Sequence, residues 1–164
     1  MKISSLVALT ALVVLVVTVG LVGAGQLGFL TGKVPQSLGV KEGRLSPPSS
    51  NPNSVSSQAD FYPEHPQKDY ALIAPLTYKG DGTAAMTRLA TLLTQADRTL
   101  VITRGPDYIY AQCTTALLKF TDDIEFWLDK TNNVIQVRSA SRLGRKDFGV
   151  NRARVESIRA QFAN

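Results

Sequence analysis

The stretch TDDIEFWLDKTNNVIQVRSASR, residues 121–142, decides the fold of this chain. In each half, apolar residues alternate with polar or charged ones, which is typical of a strand with one buried face. A Lys-Thr-Asn-Asn turn joins the halves, so the stretch predicts a β-hairpin. Phe126 is predicted to lie opposite Val137 and Glu125 opposite Arg138, because in this register the faces of both strands match.

The segments on either side of the hairpin complete a two-layer domain. Residues 70–78, 98–105 and 108–120 are each predicted to form a strand, because they are rich in β-branched and aromatic residues. Apolar residues at helical spacing predict one helix within residues 81–97, capped by Asp81 or Thr83, and an apolar stripe along a C-terminal helix at Val155, Ile158 and Phe162. The order β-α-β-β-β-β-α predicts an α+β domain, in which helices cover one face of a mostly antiparallel sheet of about five strands.

The N-terminus carries a candidate membrane span. Residues 3–32 contain no charge, and Leu6–Gly25 is almost purely apolar. A helix of about 20 residues is about 30 Å long, the thickness of a bilayer core. A retained signal anchor is favoured over a cleaved secretory signal, because the apolar run exceeds the usual ~7–15 residues and no clear A-x-A cleavage site follows.

The chain is therefore divided into four predicted parts. These are a short N-terminal tail (1–5), a transmembrane helix (6–30), a Pro/Ser/Gly-rich irregular tether (31–69) and the α+β domain (70–164). Lys2 precedes the span, and Lys33, Lys41 and Arg44 follow it, so the basic-residue count does not decide its orientation. We expect a single-pass membrane protein with its soluble domain on the periplasmic or lumenal side.

The excess positive charge lies in one segment. Residues 138–159 hold seven basic and two acidic residues, and the rest of the chain holds eleven of each, so this segment carries the whole net charge of +5. A helix predicted to begin near Asn151 would present free N–H groups to an anion. The candidate anion-binding residues are Arg138, Arg142, Arg145, Lys146, Asn151 and Arg152.

The same segment has an alternative explanation that needs no ligand. Asp147 pairs with one of these arginines, Asn151 caps the helix, and Arg138 pairs with Glu125 across the hairpin. The remaining charges are then solvated, and such exposed pairs contribute only about 0–1 kcal/mol each. The sequence leaves both explanations open, with Glu125 and Asp147 as the candidates for structural pairing.

A second candidate surface is aromatic. Tyr108 and Tyr110 share one face of their predicted strand, and Trp127 lies on the outer face of the hairpin. If these faces coincide, they form a surface for an apolar ligand or a protein partner. Alternatively, the tether covers them.

Several classes of function are disfavoured. The chain has no P-loop, dinucleotide fingerprint or Cys/His cluster, and no signal places its single cysteine, Cys113, beside its single histidine, His65. On a strand, Asp122 points away from Asp123 and Glu125, so these carboxylates do not converge on a metal ion. The basic residues also lack the dense runs of nucleic-acid binders. We therefore predict no catalytic residue, metal, cofactor or nucleic-acid partner.

Three stretches together resemble a known family. They are TDDIEFWLD (121–129), VRSASRLGRKDFGVNRARVESIR (137–159) and, more loosely, LGVKEGRLSPPSSNPNSVSSQA (38–59). Through them the chain is identified as a member of the domain of unknown function 1499 family. The resemblance implies a protein of bacteria or photosynthetic organisms, often preceded by a membrane or export segment, with no established activity.

One departure from the family pattern concerns the tether. Family members often read like C-P-x-x-P-N-C-V-S-S there, whereas Pro48 and Ser54 occupy the cysteine positions in this chain. The resemblance therefore implies no paired-thiol or metal role for this loop here. The segment NSVSSQA (53–59) is expected to keep a structural role.

The favoured hypothesis is a membrane-anchored, non-enzymatic binding or accessory module for a membrane protein complex, a lipid or another apolar ligand. The span, the missing catalytic groups and the basic segment motivate it. One alternative is an enzyme for an anionic or lipid-like substrate, with Arg138, Arg142 and Asp147 in its pocket. Another is an assembly factor whose C-terminal arginines bind an acidic partner.

Overall fold

A computed structural model describes residues 3–163. The helices are α1 (Ile3–Gln26), α2 (Lys68–Ala71), α3 (Gly82–Gln95) and α4 (Val150–Phe162), with a 3-10 helix at Ala59–Phe61. The strands are β1 (Ser54–Ser56), β2 (Leu76–Thr77), β3 (Thr99–Arg104), β4 (Tyr108–Thr114), β5 (Thr121–Asp129) and β6 (Val134–Ser141). The order from β2 to α4 is the predicted one, and the α+β class is confirmed.

The β5–β6 hairpin lies inside a six-stranded sheet. The strand order is β1-β6-β5-β4-β3, and the short β2 pairs with the turn-side end of β6. All of these strand pairings are antiparallel. Phe126 lies opposite Val137 and Glu125 opposite Arg138, so the predicted register is confirmed.

One face of the sheet packs against α3 and α4 and forms the core. Ile124 and Phe126 of β5 are fully buried there, as are Leu89 and Leu93 on the apolar face of α3. The Asp81 carboxylate caps α3 by accepting a hydrogen bond from an N–H of its first turn (2.7 Å). Burial of each large apolar side chain contributes about 1.5–3 kcal/mol, so this cluster holds the two layers together.

Two segments differ from their predicted structure. Residues 70–78, predicted as one strand, contain the end of α2 and the two-residue β2, because Pro75 has no N–H to donate to a longer ladder. β4 ends at Thr114, earlier than predicted, because the chain turns at residues 115–119 and Lys119 adopts a positive φ of 55°.

The segment predicted as an irregular tether contributes β1 to the sheet. Ser54, Val55 and Ser56 pair with residues 138–140 of β6 and are buried. Part of this segment therefore belongs to the folded layer, although its polar composition gives no strand period.

β3 forms the free edge of the sheet among the described strands. A bulge between Val101 and Thr103 shifts its register against β4, and Leu100 is exposed. Arg98 and Arg104 stand at the two ends of the strand. The edge is therefore irregular and bounded by charge.

α1 projects from the domain. Its residues 5–21 are exposed around the whole helix, and its coverage increases only towards Gly25. At Gly25 a Cβ would come within 2.5 Å of the Leu118 carbonyl oxygen. Gln26 Nε2 donates to the Leu117 carbonyl oxygen (2.9 Å). The C-terminal end of α1 is therefore fixed against the loop between β4 and β5.

α1 is long and apolar enough to cross a membrane. It is the one such helix among residues 3–163, and it is compatible with a signal anchor or a signal sequence. α1 begins at Ile3, so it includes residues 3–5 of the predicted N-terminal tail. The first two residues of that tail, Lys2 included, lie outside the described residues.

Phe126→Ala should lower the free energy of unfolding by about 3–5 kcal/mol, because the fully buried side chain would leave a cavity. Phe61→Ala is the matched control. Phe61 is half exposed, and its ring centroid lies 4.9 Å from the guanidinium carbon of Arg44. Removal of this ring should therefore lower the free energy of unfolding by at most about 1 kcal/mol. Denaturant titration of the full chain in detergent, followed by Trp127 fluorescence, measures both values. Equal losses would contradict the described core.

Candidate functional site

The face of the sheet that points away from α3 and α4 is covered by residues 39–62, which we call the covering segment. Gly39 N–H donates to Glu125 Oε1 (2.7 Å), and Arg138 Nε donates to the Pro47 carbonyl oxygen (3.2 Å). β1, within the same segment, extends the sheet at β6. Side chains on this face therefore contact other protein groups and are shielded from solvent.

The predicted aromatic surface lies on this covered face. Tyr108 lies opposite Trp127 across β4 and β5, so both aromatic side chains share the face. Both are half-buried, Tyr110 is buried, and Gly43 of the covering segment approaches the Trp127 ring. The two predicted faces coincide, and the covering segment occupies the space above them.

Glu125 lies at the centre of the covered face and is fully buried. Its Oε1 accepts hydrogen bonds from Gly39 N–H and the Tyr108 hydroxyl, both at 2.7 Å. Its Oε2 lies 3.6 Å from Arg138 Nη1 and has no hydrogen-bond donor among the described residues. Burial and then the Glu125 charge raise the pKa of Tyr108, so its phenol stays protonated and donates.

Two further carboxylates of β5 also pair with arginines of the basic segment. Asp123 accepts from Arg142 Nη2 (2.7 Å) and Nε (2.9 Å) in a bidentate pair, and it also accepts from the Tyr110 hydroxyl (2.6 Å). The hydrogen bond to Asp123 raises the pKa of Arg142. Asp122 points the other way and pairs with Arg154 of α4 (2.5 Å).

The N–H groups at the start of α4, where the anion site is predicted, already donate to a carboxylate of the protein. Asp147 accepts from the N–H groups of Gly149 (3.1 Å) and Asn151 (2.9 Å) and from the Tyr70 hydroxyl. Asn151 is fully buried, and its side-chain amide donates to Ser141 Oγ (2.9 Å). The N-cap residue is Gly149, and the Asp147 carboxylate, not Asn151, accepts hydrogen bonds from the N–H groups at the start of the helix. No arginine in the described part of the chain forms an ion pair with Asp147.

Asp147 is held in its ionised form. Burial on its own would raise the pKa of Asp147, but hydrogen bonds from Tyr70, Asn151 and Gly149 outweigh burial and hold this pKa below its ordinary value. The carboxylate therefore supplies the negative charge that the helix N-terminus favours.

The basic residues of the predicted anion site fall into two groups. Arg138 and Arg142 pair with β5, and Arg152 donates to two backbone carbonyl oxygens (2.6 and 2.9 Å). Arg145 and Lys146 are exposed, and neither forms an ion pair within residues 3–163. The anion site stays a prediction, with these two residues as its exposed cations.

Exposed apolar side chains gather at the end of the domain to which α1 is fixed. The loops that follow β4 and β6 carry them, and Gly32, shortly after α1, packs against Leu143. Leu27 and Phe29, directly after α1, are also exposed. We define the rim as the exposed side chains Leu117, Phe120, Leu143, Phe148 and Val150.

A cavity of about 360 Å³ opens between the two loops of the rim. Its apolar walls are Phe120, Leu143, Phe148 and Val150, and Lys146 lies at its edge. We call it the rim cavity. Its volume falls within the range of small-molecule sites, roughly 300–1,000 Å³.

Phe148 is the most exposed apolar side chain of the rim. It is 91% exposed and has a φ of 53°, in the left-handed region that bulky residues rarely adopt. A conformation of this kind costs on the order of 1–3 kcal/mol and tends to mark a functional site. The strain and exposure of Phe148 therefore single out the rim.

The residues proposed for an enzyme do not share a pocket. Arg138 lies under the covering segment and Arg142 pairs with Asp123, whereas Asp147 lines the rim cavity. Burial raises the pKa of the Cys113 thiol, which disfavours a reactive thiolate. Within the described residues, no group of three or more His, Cys, Asp and Glu side chains is placed to hold a metal ion.

Comparison with known proteins identifies the family. The family model described as "Protein of unknown function (DUF1499)" matches residues 44–162. The chain belongs to the DUF1499 family. This match includes most of the covering segment, the whole sheet, α3 and α4. No curated protein and no solved structure matches the chain.

The rim cavity of this DUF1499 protein is the feature that sequence reasoning missed. Its walls come from the loops after β4 and β6 and from the start of α4, and no short motif joins Phe120 to Val150. The sequence holds one local signal for the cavity. Phe148 follows three charged residues and precedes Gly149, and a large apolar side chain in such a loop is expected to be exposed.

Arg142→Met should destabilise the protein by about 3 kcal/mol, because it leaves the buried Asp123 carboxylate without its cation. Arg145→Met, the same change three residues away, should stay within about 0.5 kcal/mol, because Arg145 is exposed. Denaturant titration compares the two variants. A loss for Arg145→Met as large as that for Arg142→Met would contradict the pairing.

Acidification should weaken the fold partly through Asp147. Because its folded pKa is lowered, its stabilising contribution is complete above the unfolded value of about 3.9 and is lost as the pH falls through the folded pKa. Asp147→Asn should be less stable than the parent at pH 6, and the difference should shrink at pH 3. Thermal unfolding at both pH values tests this, and a constant difference would count against it.

Proposed function

We propose that this DUF1499 protein is a membrane-anchored, non-enzymatic accessory module that rests its α+β domain on the bilayer surface and contacts lipid through the rim. The observation that carries the proposal is the contact of Gly25 and Gln26 with the loop that bears Leu117. If α1 spans the bilayer, this contact puts the rim at the headgroups.

The exposure of α1 supports a retained anchor. Residues 5–21 present apolar side chains in every direction, and the domain covers none of them. A helix that is apolar all round is stable where its surroundings are apolar, as in a bilayer.

The composition of the rim suits the interface between water and lipid. Leu27, Phe29 and the rim residues supply exposed apolar surface, and Arg145 and Lys146 supply positive charge beside it. A cation near an anionic membrane surface contributes about 1 kcal/mol. Apolar and basic side chains at the end of an anchor favour lipid over an acidic protein partner.

A depth measurement tests the proposal. Spin labels are placed at Leu117→Cys and, as the control, at Thr131→Cys in the hairpin turn at the far end of β5. The nine-residue β5 separates the two loops by about 26 Å. In nanodiscs that contain phosphatidylglycerol, the label at position 117 should be more accessible to oxygen and less accessible to a water-soluble nickel chelate than the label at position 131. The label at position 131 should stay in water.

Equal access of the nickel chelate to both labels would overturn the proposal. Native Cys113 does not interfere, because it is buried and its raised pKa disfavours reaction with the label.

A further inference from the structure

We propose that the rim cavity binds one acyl chain of a membrane phospholipid, drawn out of the bilayer and into the domain. This inference rests on the proposed function, because the cavity reaches lipid only if the rim lies on the membrane. It goes beyond surface contact, since it assigns a defined ligand site to the loops after β4 and β6.

The lining of the cavity fits a ligand without polar groups. Asp122 is paired with Arg154, and the Asp147 carboxylate already accepts four hydrogen bonds. Ser141 Oγ accepts from the Asn151 side chain (2.9 Å). These polar groups are satisfied within the protein, so the remaining attraction comes from the apolar walls, where burial of hydrocarbon is favourable.

An exposed apolar side chain lines the cavity. Phe148 stands 91% exposed at its edge, and the positive φ of Phe148 and Gly149 turns the backbone there. Leu143, on the same loop as Phe148, packs on Gly32, which follows shortly after α1. A lipid beside α1 therefore meets an apolar path from the helix to the cavity.

Charge at the entrance selects the phospholipid over a neutral hydrocarbon. Lys146 lies at the edge of the cavity and Arg145 is next to it, and both are exposed. With the chain inside, the phosphate of an anionic headgroup would lie in reach of these cations. An ammonium or guanidinium group then gains a charge-assisted contact that a free alkane does not offer.

Photolabelling of the full chain in nanodiscs tests the inference. The probe is phosphatidylglycerol with a diazirine at the end of one acyl chain, diluted into phosphatidylcholine. Chain ends lie about 15 Å below the headgroups in a bilayer whose core is about 30 Å thick, so they label the domain only if the chain has left the bilayer. Mass spectrometry should find adducts on Phe120 and Val150 in addition to those on α1.

Val150→Trp should fill the cavity and lower the adducts on Phe120 by about tenfold, which corresponds to the loss of roughly two buried methylene groups. Ala153→Trp, on an exposed position of α4, is the matched control and should label like the parent. If Val150→Trp fails to fold, the positions of the adducts on the parent protein still test the inference.

The outcomes separate this inference from the proposed function. Adducts confined to α1, or equal labelling of Phe120 in the two tryptophan variants, would overturn the acyl-chain site. If the Leu117 spin label still lies among the headgroups, the proposed function survives that result. If the Leu117 label lies in water, both proposals fail.

Discussion

The register of the β5–β6 hairpin is the constraint on which the rest of the structure depends. A slip by one residue would turn Phe126 out of the core and direct the Glu125 carboxylate into it. An unpaired buried charge costs several kcal/mol, and the loss of the apolar contacts adds to that cost. In the observed register, Asp122, Asp123 and Glu125 each face an arginine, so both faces of the sheet specify the same pairing.

The basic segment has two separate roles. The β5 carboxylates are neutralised by Arg138 of β6, Arg142 directly after β6 and Arg154 of α4, which explains why so much charge is concentrated beside one acidic strand. In the loop between these elements, Arg145 and Lys146 have no such partner among the described residues. Most arginines of the basic segment are thus structural, and Arg145 and Lys146 are its exposed cations.

The strands and helices with a clear period could be predicted from the sequence, and so could the hairpin register, because Phe126 and Glu125 each have one matching partner. The sequence does not predict β1, since Ser54–Ser56 is mostly polar and its place in the sheet depends on pairing with β6. One of the two explanations of the basic segment makes Asn151 the cap of α4, but the Asp147 carboxylate fills this role because the turn at Phe148 and Gly149 brings it back to the helix. The rim cavity depends on loop geometry, which local patterns do not encode.

The free edge at β3 has a consequence for a protein held in a membrane. Anchoring confines molecules to two dimensions and one orientation, so exposed strand edges on neighbouring copies would meet repeatedly in the geometry that promotes aggregation. The bulge between Val101 and Thr103 breaks the straight row of hydrogen-bonding groups, and Arg98 and Arg104 repel the same edge of another copy. If α1 anchors the protein, this irregular edge disfavours pairing between the sheets of neighbouring copies.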